Sequence, residues 1–154
     1  MMFKKMFKNQ RGLTLIELLA VVVILGIIAA IAIPAVGAMI SNSKKDAHIA
    51  NAEQIANAAR IYIATENKEI DTTGTSIPLS TLITGGHMEE IKDPSNNKDT
   101  YNETDTKVLA KKVGGVVKFY VKLVSTTNPV KTYSDQTGTS GKDVKAISRG
   151  EINL

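Results

Sequence analysis

The chain has 154 residues, room for one domain with a modest core, and its lack of cysteine excludes disulfides, thiolate metal sites, a cysteine nucleophile and a lipidated cysteine. Its formal charge of +4 sits at one end, because Lys4, Lys5, Lys8 and Arg11 fall in the first twelve residues with no acid among them. Fifteen acidic residues balance the fifteen remaining basic ones, so the body is formally neutral and the high pI belongs to the leader.

After this leader comes an apolar run. Between Leu13 and Ile40 the charged side chain is Glu17, and Leu18 to Ile33 is apolar or glycine throughout. As a helix rising ~1.5 Å per residue this segment reaches roughly 42 Å, beyond the ~30 Å of a bilayer core. The leader stays on the cytoplasmic side by the positive-inside bias, which sends the C-terminus outward. Gly26 and Gly37, with Ala29, Ala30, Ala32, Ala35 and Ala38, give the span small-residue positions suited to close helix packing. Pro34 removes a helix hydrogen bond and is expected to kink the rod.

Three readings compete for this segment: a plain signal anchor, a secretory signal cut near Ala30-Ile31-Ala32, and a leader removed on the cytoplasmic side. An acid at the centre of a membrane helix is disfavoured by ~2.5–3.5 kcal/mol, so Glu17 needs a partner that an anchor does not supply. A conventional signal would make the protein a secreted or membrane-anchored binding module, with a mature chain starting near Ala32.

Arg11-Gly12-Leu13-Thr14-Leu15-Ile16-Glu17-Leu18-Leu19 resembles the N-terminal signature of type IV pilins and type II secretion pseudopilins. The resemblance implies that a prepilin peptidase cuts between Gly12 and Leu13 and that Leu13, where many members have Phe, becomes the N-methylated first residue. Pro34 also sits where the family commonly carries a kinking proline. Elementary electrostatics agrees: the cut places a cationic amine four residues from Glu17. Opposite charges ~4 Å apart attract by about 4 kcal/mol at an effective dielectric near 20, which offsets the cost of the buried acid and fixes axial register. Gly12 suits a protease that needs an extended, unhindered backbone.

Beyond Ile40 the helical period resumes, with Ala52, Ile55, Ala56, Ala59, Tyr62 and Ile63 near one stripe. The spacing predicts one helix continuing to about Glu66; Ser43 with Asp46 offers an alternative capping box and a break at 41–46. Residues 67–106 carry breakers such as Gly85-Gly86 and Asp93-Pro94 and read as a connection, with a short helix near Leu79 to Ile83. Thr106 to Val113 and Val116 to Val124 flank Gly114-Gly115, a hairpin signature. Val117, Phe119, Val121 and Leu123 alternate with Lys118, Tyr120 and Lys122, one face for the core and one for solvent. Val130 to Ser134 and Val144 to Ser148 read as third and fourth strands.

Candidate chemistry is sparse, and no catalytic constellation is present. His48 and His87 read as surface residues outside any metal or triad motif. Asp93, Ser95, Asn97 and Asp99 place oxygens at alternate positions, but Lys98 and Thr104 stand where a calcium loop wants Gly and Glu. No metal or cofactor is therefore expected, and Asp93, Asn97 and Asp99 remain the one calcium-loop candidate. Six lysines and no acid lie between Asp105 and Asp135, while Glu89 to Asp105 carries six acids. Lys111, Lys112, Lys118, Tyr120 and Lys122 are candidates for contact with another subunit or with DNA, against the plain alternative of a solvated face with lysines guarding a sheet edge.

The expectation is an α+β protein, a long N-terminal helix packed on a small antiparallel sheet of three to four strands. Residues 1–12 are a cleaved leader, 13–40 a membrane and filament-core helix, 41–66 its amphipathic continuation, and 67–154 the connection and sheet. The resemblance implies a bacterial structural subunit with copies of itself, a prepilin peptidase and the pilus machinery as partners. It passes from a single-span membrane precursor to a surface filament. A pseudopilin of a competence or type II secretion apparatus is the alternative.

Overall fold

The computed structural model describes residues 14–127, 129–138 and 141–154, with the backbone alone at 97 and 98. Helix α1 spans Leu15–Thr65 and contains Pro34; it is continuous through 41–46, where the sequence allowed a break. Its end has a local cause. Asn67 takes a left-handed φ of 48°, and the Lys68 N–H returns to the Ile63 carbonyl at 3.0 Å, the Schellman closure that satisfies last-turn carbonyls. The chain divides into two compact units, residues 1–39 and 40–154.

In the first unit the described residues are the N-terminal stretch of α1. The second unit holds everything else. Strand β1 is Thr75–Pro78, helix α2 is Leu79–Thr84, β2 is Lys92–Asp93, β3 is Asn96–Thr100, β4 is Lys107–Val113, β5 is Val116–Val124 and β6 is Thr132–Asp135, followed by 3₁₀ turns at Val144–Ala146 and Arg149–Glu151. The antiparallel main sheet has the order β1-β4-β5-β6, and β2 and β3 form a separate hairpin.

Alternation along β4 and β5 sends Val108, Ala110, Phe119, Val121 and Leu123 inward, where they meet Ala52, Ile55, Ala56 and Ala59 of α1 in one core. Alanine at three of those four helix positions lets the backbone approach the sheet closely, so the bulk comes from the strands. The Arg60 guanidinium lies 4.5 Å from the centre of the Phe119 ring and closes the margin of this core.

Two expectations are corrected. The fourth strand is β1, pairing Thr75 to Ala110 and Pro78 to Lys107, from a region read as connection. Val144–Ala146 is a 3₁₀ turn instead, capped by Asp143, whose carboxylate accepts from the Lys145 N–H at 3.0 Å. Inward-facing Val144, Ile147 and Ile152 are buried, so the apolar spacing taken for a strand serves an irregular segment that closes the core.

That segment is tied down without cysteine. The Asn153 N–H donates to the Tyr133 carbonyl at 2.8 Å, and Arg149 donates from Nε and Nη2 to the two oxygens of Asp46 on α1 at 2.6 and 2.5 Å. Lys142 pairs with Glu151. This pairing, together with Ser148 bonding, brings the Glu151 carboxyl down to about 2.

The β4–β5 turn requires left-handed backbone at Gly114 and Gly115, with φ of 60° and 83°. Gly115→Val should lower stability by ~1–2 kcal/mol, the cost of such a conformation for an L side chain, while Gly114→Asn should change little; urea unfolding of both variants checks the pair.

Candidate functional site

Thr14 stands just before α1 and its side chain organises the first turn. The Glu17 N–H donates to Thr14 Oγ1 at 3.3 Å, and Glu17 Oε2 accepts from the Thr14 N–H and hydroxyl, both at 2.8 Å. This reciprocal capping box aims the carboxylate back at the chain entering the helix. Gly12 and Leu13, the expected cut and methylation site, lie outside the described residues, as do Lys4, Lys5, Lys8 and Arg11.

From Thr14 to Met39 no residue is buried. Leu15 is 88% exposed, and the other Leu, Ile, Val and Met side chains from Ile16 to Ile40 are all more than two-fifths exposed. Within α1 lies a stretch long and apolar enough to cross a membrane. A soluble monomer rarely exposes such an apolar surface. Glu17 is the one acid in it.

His48 is not a surface residue. It is fully buried on the α1 face that carries Ala52, Ile55 and Ala59. Its Nδ1 lies 2.7 Å from the Tyr101 hydroxyl and its Nε2 lies 2.9 Å from Ser95 Oγ. Tyr101 also accepts from Asn51 Nδ2 at 3.1 Å, so its single proton is directed at Nδ1, and His48 is the neutral tautomer with its hydrogen on Nε2. Burial pushes His48 down to about 4, outweighing the attraction of Asp93, whose Oδ1 is 3.8 Å from Nε2. Tyr133 donates to Asp93 Oδ2 at 2.6 Å and is pushed up to about 12 by burial and by that acid.

These groups contain a histidine, a serine and an aspartate, but not in a nucleophilic order. Ser95 and Asp93 both lie on the Nε2 side, Nδ1 faces a tyrosine, and the histidine and aspartate are sealed from solvent, so no substrate reaches them. The network instead fastens the β2–β3 hairpin and β6 to α1. Helical spacing from Ala52, Ile55 and Ala59 back to position 48 is the signal that identifies this histidine as inward.

Two of the calcium-loop candidates have protein partners. Asp93 is buried and bonded to Tyr133 and the Ser95 N–H, while Asp99 accepts from Asn96 Nδ2 at 2.7 Å; the side chain of Asn97 lies outside the described residues. His87 packs edge-on against Tyr62 at 5.3 Å. Of the candidate contact residues, Lys111, Lys118, Tyr120 and Lys122 share the outer face of β4 and β5, whereas Lys112 pairs with Val117 on the opposite face.

A small α+β head and a helix with an unburied apolar stretch are the architecture of a pilin-like structural protein. The model of the prokaryotic N-terminal methylation motif matches residues 7–33. Two fimbrial proteins of Pseudomonas aeruginosa are each 33% identical over 129 residues, covering 79% of this chain and 82% of their own. The type IV major pilin protein PilE of Neisseria gonorrhoeae is 31% identical over 148 residues, covering 86% and 87%. No solved structure gives a significant match. The chain belongs to the type IV pilin family.

The sealed His48 carries a pH consequence. The unfolded chain protonates it near 6.5 and the folded one near 4, so its contribution is complete above pH 6.5 and is lost as pH falls toward 4, on the order of 3 kcal/mol in all. Urea unfolding of the detergent-solubilised chain at pH 7, 5.5 and 4 should show this loss, and His48→Gln should flatten it across that window.

Proposed function

We propose that the protein is the structural subunit of a type IV pilus, made as a membrane-held precursor, cut after Gly12 by a prepilin peptidase, methylated at Leu13 and assembled through residues 13–40. The observation that carries this reading is Glu17, the lone carboxylate in the apolar, unburied stretch of α1 from Leu15 to Met39. In the precursor one of its oxygens, Oε2, accepts two hydrogen bonds from Thr14, which orients the carboxylate but does not neutralise it. Proteolysis supplies the missing cation as a new amine at Leu13, of the same chain or of a neighbour in the filament. Pairing then compensates the acid in a dry core and sets how far one subunit slides along the next.

The rest of the apolar surface follows the same logic. Before assembly lipid covers it, and afterwards other copies do, with Gly26, Gly37 and the intervening alanines allowing close approach. Pro34 gives the span a point of bending in either environment. A long pilus is favoured over a short secretion or competence filament by the names of the relatives, fimbrial protein and major pilin, matched over more than four-fifths of their length.

Mass spectrometry of the protein from its host should find a mature chain beginning at Leu13; an intact Met1, or a start just after Ala32, would refute the processing. Gly12→Val should leave the precursor uncut. Glu17→Val should still insert into the membrane while filament yield drops at least tenfold, the effect of losing about 1.4 kcal/mol per subunit addition. Normal yield would contradict the pairing.

A further inference from the structure

The register of β4 and β5 sets Lys111 opposite Lys118, with Val113 opposite Val116 on the turn side and Leu109 opposite Tyr120 on the other. Ala110 and Phe119 are buried against the helix, so these six side chains stand on the outer face of the sheet. Like charges directly across a ladder destabilise it. The neighbouring opposed pair, Lys107 and Lys122, is relieved by Asp135, 3.4 Å from Lys122 Nζ. Among the described residues no carboxylate lies within ion-pair distance of Lys111 or Lys118. Lysines often guard an open sheet edge, but β4 and β5 are the two central strands, flanked by β1 and β6.

A matching surplus of acid lies on another surface. Of the six acids from Glu89 to Asp105, Asp93 is bonded to Tyr133 and Asp99 to Asn96. Glu89, Glu90, Glu103 and Asp105 form no ion pair among the described residues. These four gather about α2. Glu89 and Glu90 follow its end, while the turn bearing Glu103 and Asp105 is tied to its start: the Leu79 N–H donates to the Thr106 carbonyl at 2.9 Å and the Ser80 N–H to the Glu103 carbonyl at 3.0 Å. Glu89 and Glu90 are consecutive and both exposed, whereas Glu103 is partly buried.

We propose that Lys111 and Lys118 of one copy receive Glu89 and Glu90 of a second copy. This contact between heads rests on the reading of the chain as a filament subunit and supplies a second assembly site beside the apolar helix. Two cations meet two carboxylates, so the repulsion across β4 and β5 is cancelled. A groove of about 400 Å³ on the lysine face, lined in part by Leu109, Val113 and Tyr120, shields the pairs from water and so strengthens them. The body is formally neutral yet holds its charges in separate patches, a distribution that complements another copy of itself. Because the two patches are different surfaces, the contact is heterologous. Each added copy leaves one patch of each sign free, and repetition gives an open array instead of a closed pair.

Charge exchange tests this. Lys111→Glu with Lys118→Glu should lower filament yield roughly tenfold or more, as should Glu89→Lys with Glu90→Lys, because each variant sets like charges against each other. All four substitutions together should restore the yield, a recovery that a foreign anion on the lysine face would not give. Mature chains of every variant should still begin at Leu13, which separates this contact from processing. In neutral detergent, carbodiimide coupling of an equal mixture of isotopically light and heavy full-length chains should link Lys111 or Lys118 of one to Glu89 or Glu90 of the other. Wild-type yield in either charge-reversed variant, no recovery in the fourfold exchange, or the absence of mixed links would overturn the proposal. Mixed links without any wild-type filaments would refute the pilus reading while supporting the contact.

Discussion

The structure is governed by an apolar surface that the chain does not bury. Residues 14 to 39 contain no buried position, and at ~25 cal/mol per Å² of apolar area such a stretch cannot remain in water. Its covering must come from lipid or from other copies. The small head faces a different problem: it has to be stable and soluble while joined to a segment that is neither in water.

The head meets this with means other than disulfides. Alanines bring α1 close to β4 and β5, and the 3₁₀ segment at the C-terminus supplies Val144, Ile147 and Ile152 to the remaining side of the core. Hydrogen bonding then fixes what packing leaves loose. His48, Ser95, Tyr101, Asp93 and Tyr133 connect α1, the β2–β3 hairpin and β6, and no buried side-chain polar atom among the described residues lacks a partner. A fully satisfied buried network specifies one arrangement, because any displacement strands a donor or an acid in a low-dielectric interior.

What could be read from the sequence follows how local its cause is. The long helix announces itself by period and by an uninterrupted apolar run, and the β4–β5 hairpin by alternation about Gly114-Gly115; both depend on residues close in sequence. Strand β1 is four residues ending in a proline, and it is a strand because β4 presents an open edge, a partner thirty residues away. Val144 to Ser148 has strand-like composition but is held by a side-chain cap and by burial against the core. The partners of His48 lie some fifty residues along the chain, so polarity suggested solvent where only the helical phase pointed inward. In the apolar segment the legible feature is Glu17 itself, three residues after Thr14 in the spacing of a capping box.

The two anomalous charge features share a physical form. Glu17 is a carboxylate in an environment that disfavours it, and Lys111 opposite Lys118 is a pair that repels across two central strands. In each case the folded chain bears an electrostatic cost that its own described residues do not remove. Hydrogen bonds from Thr14 orient the acid without neutralising it, and Asp135 relieves the lysine pair it is not part of. Charges left uncompensated within a fold are most simply explained by compensation from outside it, since either anomaly would be eased by a neutral side chain of similar size. For Glu17 such a charge would be a cation, because the described residues around it offer hydrogen bonds alone.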